Sequence, residues 1–228
     1  MLDRTGDPVV TRRGSVALAA TLAVALTCWA VAVHEMSGMN DGVATRLGSF
    51  GFFIGMWVPM MAAMMLPGVA PTVLRRAHRD DGMAGQVMFV AGYLAVWTVA
   101  GVAVYWLYRP HGAVAAGVVV IAAGLYELTP VKTRCRQRCR ETVRTGAFAL
   151  CCLGSSAGLM AVLVVVGVMS VAWMAVIAAV VVAQKLLAVR RSIDVVVALA
   201  LVALGAVIVV APSAIPGLVP SISAMPSM

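Results

Sequence analysis

The sequence predicts an all-α fold: a polytopic membrane helical bundle of about seven transmembrane helices, with its N-terminus cytoplasmic and its C-terminus external. Three observations carry this. Hydrophobic residues make up 62% of the 228 and charged residues only 11%, more apolar surface than the solvated shell of a soluble domain can hide. Uncharged or nearly uncharged runs occupy 14–33, 47–74, 82–108, 112–130, 145–184 and 195–228, and ~20 apolar residues suffice to cross a hydrocarbon core of ~30 Å. Threaded from a cytoplasmic N-terminus, seven spans put fifteen of the seventeen Lys and Arg inside, as the positive-inside rule requires.

The elements follow in order. The first run comes after Arg12-Arg13 and ends near Ala30-Val31-Ala32, which resembles a signal cleavage site. Its length argues for a retained span. The second carries Pro59, Pro67 and Pro71 and is expected to kink, or to end near Pro67. Residues 82–108 and 112–130 hold one span each, the latter containing Glu127. The run between Arg144 and Lys185 has 40 residues; one helix of that length would measure ~60 Å, twice the core. It must turn back, and Gly167-Val168-Met169-Ser170 is the expected place. The chain thus divides into a cytoplasmic segment 1–13, one membrane-embedded domain 14–211, and an external tail 212–228 whose four prolines argue for disorder. Gly51/Gly55 and Gly154/Gly158 form two G-x-x-x-G pairs, expected to let helices approach closely.

The net charge of +8 reads as topology. The inside set is Arg4, Arg12, Arg13, Arg75, Arg76, Arg79, Lys132, Arg134, Arg136, Arg138, Arg140, Arg144, Lys185, Arg190 and Arg191, leaving Arg46 and Arg109 outside. The lipid bilayer is the expected partner, with attraction to anionic head groups as a by-product; nucleic acid is not expected.

Candidate chemistry lies in three stretches. In "MWVPMMAAMMLPG", Met56, Met60 and Met64 share one helix face, with Met61 and Met65 beside it. Thioethers are soft ligands that suit Cu(I), and methionine is equally a flexible filler between kinked helices. After the first span, "HEMSGMN" brings His34, Met36 and Met39 to the outer face, as a copper-collecting site or as a wet interfacial loop. Between the fourth and fifth spans, Cys135 and Cys139 form C-x-x-x-C inside "KTRCRQRCRE". In a helix their sulfurs lie one turn apart, the flanking arginines favour thiolate, and Cys151 and Cys152 could complete a soft-metal site. Cys28, inside the first span, reads as a small hydrophobe, and Glu127 as a partner of Lys132 or another nearby cation. Neither a nucleophilic nor an acid/base constellation is present in the sequence, and no catalysis is expected.

Several of these stretches together resemble the bacterial multi-pass family of predicted metal-binding integral membrane proteins, a domain of unknown function. The matching pieces are "WVPMMAAMMLPGVAP" (57–71), "GYLAVW" (92–97), "GLYELTPVKTRCRQRCR" (124–140) and "CLGSSAGLMAVLVVVGVMSVAWM" (152–174), followed by Gln184-Lys185. The resemblance implies a helical membrane fold, a bacterial inner-membrane location, and a metal site drawing on Met64, Met65, Cys135, Cys139 and Cys152. This chain departs from the pattern at Ser155, Ser156 and Ala157, which stand where Cys, Cys and Trp are usual. Glu127 stands for Gln, Gln184 for Glu, and Ser170 for Asn. The expected function is to bind or pass a soft metal, copper foremost, to a membrane or metal-chaperone partner. The alternatives are an assembly subunit without metal and a small-solute transporter.

Overall fold

The computed structural model describes residues 8–36, 48–77, 82–142, 144–167, 170–187 and 191–214. Met39, the turn residues Val168 and Met169, and most of the 212–228 tail lie outside them. Within the described residues the chain is helical: α1 Pro8–Met36, α2 Phe50–Met65, α3 Ala70–Ala77, α4 Gly82–Leu107, α5 Ala113–Glu127, α6 Pro130–Glu141, α7 Thr145–Gly167, α8 Val171–Leu186 and α9 Arg191–Val210. Helix α1 starts at Pro8, inside the segment expected to precede the first span.

The breaks have local causes. Helix α2 opens on Ser49, whose hydroxyl accepts from the Phe52 amide, and ends at Met65 before Pro67. A short 3-10 turn, Pro67–Val69, leads into α3 with a 43° bend. The α5–α6 corner is sharper, at 62°. Thr129 is held extended before Pro130, as residues preceding proline prefer, and its side chain accepts from the Lys132 amide while proline fills the first helical position. Helix α7 ends at Gly167 and α8 starts at Val171, so the 40-residue run is divided where length required.

Among the described residues, four helical stretches are long and apolar enough to cross a membrane: Gly14–Met36, Gly82–Leu107, Thr145–Gly167 and Arg191–Val210. Counting each bent pair, α2 with α3 and α5 with α6, as one span raises the number to six. Against the expected seven, α8 is the shortfall: its 16 residues rise only ~24 Å, less than the ~30 Å core.

Helix α7 sits at the centre, with Val162, Leu163, Val166 and Ala149 at 0–1% exposure. Trp57 of α2 donates to the Trp97 carbonyl of α4 at 2.8 Å, and Tyr126 of α5 to the Gly154 carbonyl of α7 at 2.7 Å. Helices α5 and α9 approach closely: a β-carbon at Gly205 would stand 2.7 Å from the Gly117 carbonyl oxygen. Of the two expected G-x-x-x-G contacts, Gly154/Gly158 packs α7 on α5 and α6. Around Gly51 and Gly55, a β-carbon meets nothing within 4 Å among the described residues.

Candidate metal centre at the basic end of the bundle

The amphipathicity of α6 decides what gathers at this end. A repeat of four puts Lys132, Arg136 and Arg140 on one face and Cys135 and Cys139 on the adjacent one. Lys132 and Arg136 are 1% and 4% exposed, while Arg134 and Arg138 point out. The basic stretch therefore does more than line a membrane surface: two of its cations are turned inward, which requires partners. Lys132 forms an ion pair with Glu127, as expected, and donates to Gln184 Oε1 at 3.0 Å. Gln184 Nε2 in turn donates to Glu127 at 2.8 Å. Arg136 pairs with Asp194 at 2.7 Å and donates to the Gln184 carbonyl at 2.8 Å. Arg140 donates to the carbonyls of Lys185 and Leu187, and Arg75 of α3 donates to the carbonyl of Arg140. Helix α6 thus joins α5, α8 and α9 through buried or half-buried charges, and α3 through the exposed Arg75.

Its cysteine face meets α7. All five cysteines are free thiols. Cys139 Sγ lies 3.4 Å from Cys152 Sγ, bringing together residues 13 apart on two helices. Cys135, one turn earlier, packs on Gly154, where a β-carbon would be 3.0 Å from its sulfur. The glycine is what lets α6 approach. Cys151 lies beside Cys139 and Cys135 but is only half-buried. The close thiol pair is therefore Cys139 with Cys152, rather than the two members of C-x-x-x-C with each other. Among the described residues no group of three or more His, Cys, Asp or Glu is placed to hold a metal ion, so a site here has two thiols and draws any further ligand from another residue type.

A thioether lies nearby. The Lys185 ammonium is 3.6 Å from Met65 Sδ and 3.2 Å from the Tyr93 hydroxyl, and both Lys185 and Tyr93 adjoin the Cys152 thiol. A β-carbon at Gly68 would collide with the Lys185 side chain, so "MMLPG" both ends α2 and leaves the groove in which this lysine lies. The thiols, Lys185, Arg75, Arg136 and Arg140 line a cavity of about 230 Å³ that Ser155 and Phe148 also bound. The thiolate is the metal-binding form of cysteine.

The remaining expected ligands are elsewhere. Met56, Met60, Met61 and Met64 are buried in the apolar core at 0–5% exposure, the filler role of methionine. His34 is exposed and Met36, two residues on, is buried; positions i and i+2 on a helix face apart, so the two do not converge. They also sit at the end of α1 away from the thiols, since Ala17, Ala20, Thr21 and Val24 are the α1 residues that share a cavity with Leu66 and Gln86. Ser155 turns its hydroxyl back to the Cys152 carbonyl at 3.0 Å, Ser156 is buried, and Ser170 precedes α8 without a side-chain cap. The roles of Lys185 and Tyr93 were not legible in the sequence, where neither stood near a cysteine.

No curated protein and no solved structure matches the chain. One family model does, the copper chaperone family PpoB2, over residues 54–208. That stretch runs from within α2 to the last turn of α9 and includes Met65, Cys139, Cys152 and Lys185, while leaving out α1 with His34 and Met36. On a match over more than half of its length, the chain belongs to the PpoB2 copper chaperone family.

Proposed function

We propose that this protein is an integral membrane copper chaperone that holds one Cu(I) on Cys139 and Cys152 at the basic, cytoplasmic end of the bundle and passes it to a protein partner. The observation that carries the reading is the 3.4 Å approach of the two thiols across α6 and α7, next to Lys185, whose ammonium also meets the soft Met65 sulfur. Two thiolates form a soft set that selects Cu(I) over hard cations, and the surrounding cations offset the charge of the resulting complex. The apolar helices support a bilayer location, and the fifteen cations on one side support a bacterial plasma membrane with the N-terminus inside. No reaction is assigned: the ion is cargo, bound and released. Helix α8, too short by length alone, completes seven spans if its ends are drawn into the core.

The test is copper stoichiometry in detergent-purified protein, measured under competition from a colorimetric Cu(I) chelator. One Cu(I) per chain is expected, lost in Cys139→Ser and in Cys152→Ser and kept in Cys28→Ser. Copper retained by the Cys139→Ser/Cys152→Ser double variant refutes the site. A second reading, an assembly subunit without metal, draws on Ser155, whose hydroxyl is turned to backbone rather than to the cavity. It predicts a stable membrane partner and no copper in either protein.

A further inference from the structure

The cavity beside the thiol pair holds more positive charge than a copper dithiolate balances. Arg75, Arg136, Arg140 and Lys185 line it, and none of the described lining residues is acidic. Asp194 neutralises Arg136 from outside the cavity. Three cations remain against the single negative charge of one Cu(I) on two thiolates: Lys185, Arg140, which donates through Nη2 to the Lys185 and Leu187 carbonyls, and the exposed Arg75, which donates to Thr72 and to the Arg140 carbonyl. Two guanidinium nitrogens, Arg136 Nη2 and Arg140 Nε, are buried with no hydrogen-bond partner among the described residues, and Arg136 as a whole is 4% exposed. Buried donors are nearly always satisfied, because an unmade hydrogen bond forfeits the hydration it replaced. Guanidinium forks match carboxylates in shape and charge. A space of about 230 Å³ suits a molecule between an amino acid and a short peptide in size.

We propose that this cavity binds a small thiol bearing carboxylates, and that Cu(I) reaches Cys139 and Cys152 as the complex of that thiol. The inference rests on the copper reading above and names how the ion arrives. The step is ligand exchange at constant oxidation state. Two bonds from copper to the carrier's sulfurs break and two to Cys139 and Cys152 form. The two cysteine thiol protons pass to the departing thiolates, which leave as neutral thiols. Carboxylates held by Arg75 and Arg140 keep the carrier beside the cysteines while the bonds exchange, which makes the transfer local rather than bimolecular.

The probe is S-methylglutathione, which keeps the carboxylates but cannot give up a thiol to copper. It is titrated calorimetrically into the metal-free full chain in detergent. Saturable binding at one per chain is expected, weakened about tenfold or more by Arg140→Gln and by Arg75→Gln, in variants whose elution and thermal melting match the parent. Arg140→Lys should recover part of the loss, since charge returns without the fork. Absence of binding, binding that survives both Gln substitutions, or equal affinity for inorganic phosphate overturns the inference, the last by reducing the cavity to a plain anion site. Cu(I) retention is measured on the same preparation without any thiol. Copper held with no probe bound overturns the carrier and leaves the copper site standing; probe bound with no copper held overturns the copper site and the delivery step with it.

Discussion

The side-chain amide of Gln184 donates a 2.8 Å hydrogen bond to the carboxylate of Glu127, and both hold the buried ammonium of Lys132. At both positions the sequence departs from the pattern it resembles, which has Gln for Glu127 and Glu for Gln184. Side by side in space, the two residues give Lys132 one negative partner and one amide. Glu127→Gln should therefore destabilise the protein by about 3–5 kcal/mol, because it leaves a buried charge without a counter-ion. Adding Gln184→Glu should recover most of that loss. Denaturant unfolding in mixed micelles, run as a double-mutant cycle, checks the coupling; a double variant as unstable as the single would show that the two sites are not interchangeable.

Arg136 and Asp194 form a second buried pair joining α6 to the first turn of α9. Asp194→Ala should cost about 3–5 kcal/mol, and Arg136→Met/Asp194→Ala markedly less, since the double variant leaves no stranded charge. Raised salt should hardly change the wild-type value, buried pairs being poorly screened. Melting temperatures of the three variants at two salt concentrations are the measurement.

The two kinds of small-residue contact make opposite predictions. A β-carbon at Gly205 would press on the Gly117 carbonyl oxygen at 2.7 Å, so Gly205→Ala should destabilise by about 1–3 kcal/mol through overpacking. Gly51→Ala meets no neighbour among the described residues and should be neutral, or stabilising by about 0.5–1 kcal/mol through helix propensity. Equal losses at the two sites would contradict this placement of α2 and α9.

The thiol pair should also be visible chemically. At 3.4 Å, mild oxidation with diamide should join Cys139 to Cys152 within one chain, removing two alkylatable thiols by mass spectrometry. Cu(I) loaded beforehand should protect the pair, and the oxidised protein should take up no copper. Cross-linking of Cys135 in preference to Cys152 would point to a different register of α6 on α7.

Much of the architecture was legible in the chain because it depends on local properties. Apolar runs cannot be solvated, so the helices and their approximate limits follow from 14–33, 82–108 and 195–228. Pro67 and Pro130 break helices for steric reasons that need no neighbours. The Glu127–Lys132 pair was readable too, five residues apart in the chain. The methionine face of α2 was legible as a pattern and not as a role: side chains that fill a core and those that face an ion obey the same helical period, and only Met65 of that face is placed beside Lys185.

What the sequence determined by itself is the class of molecule: a helical, strongly apolar chain with its cations gathered into a few short segments. The tertiary structure decided which of those cations turn inward and which two of five thiols meet. It also decided that Lys185, Tyr93 and Met65 share their surroundings and that Glu127 and Gln184 are one unit. The reason is physical. Hydropathy and proline act over one turn or one span, and can be read along the chain. A soft-ligand site depends on contacts between α6, α7, α8 and the end of α2, set by how closely Gly68 and Gly154 let neighbouring side chains approach.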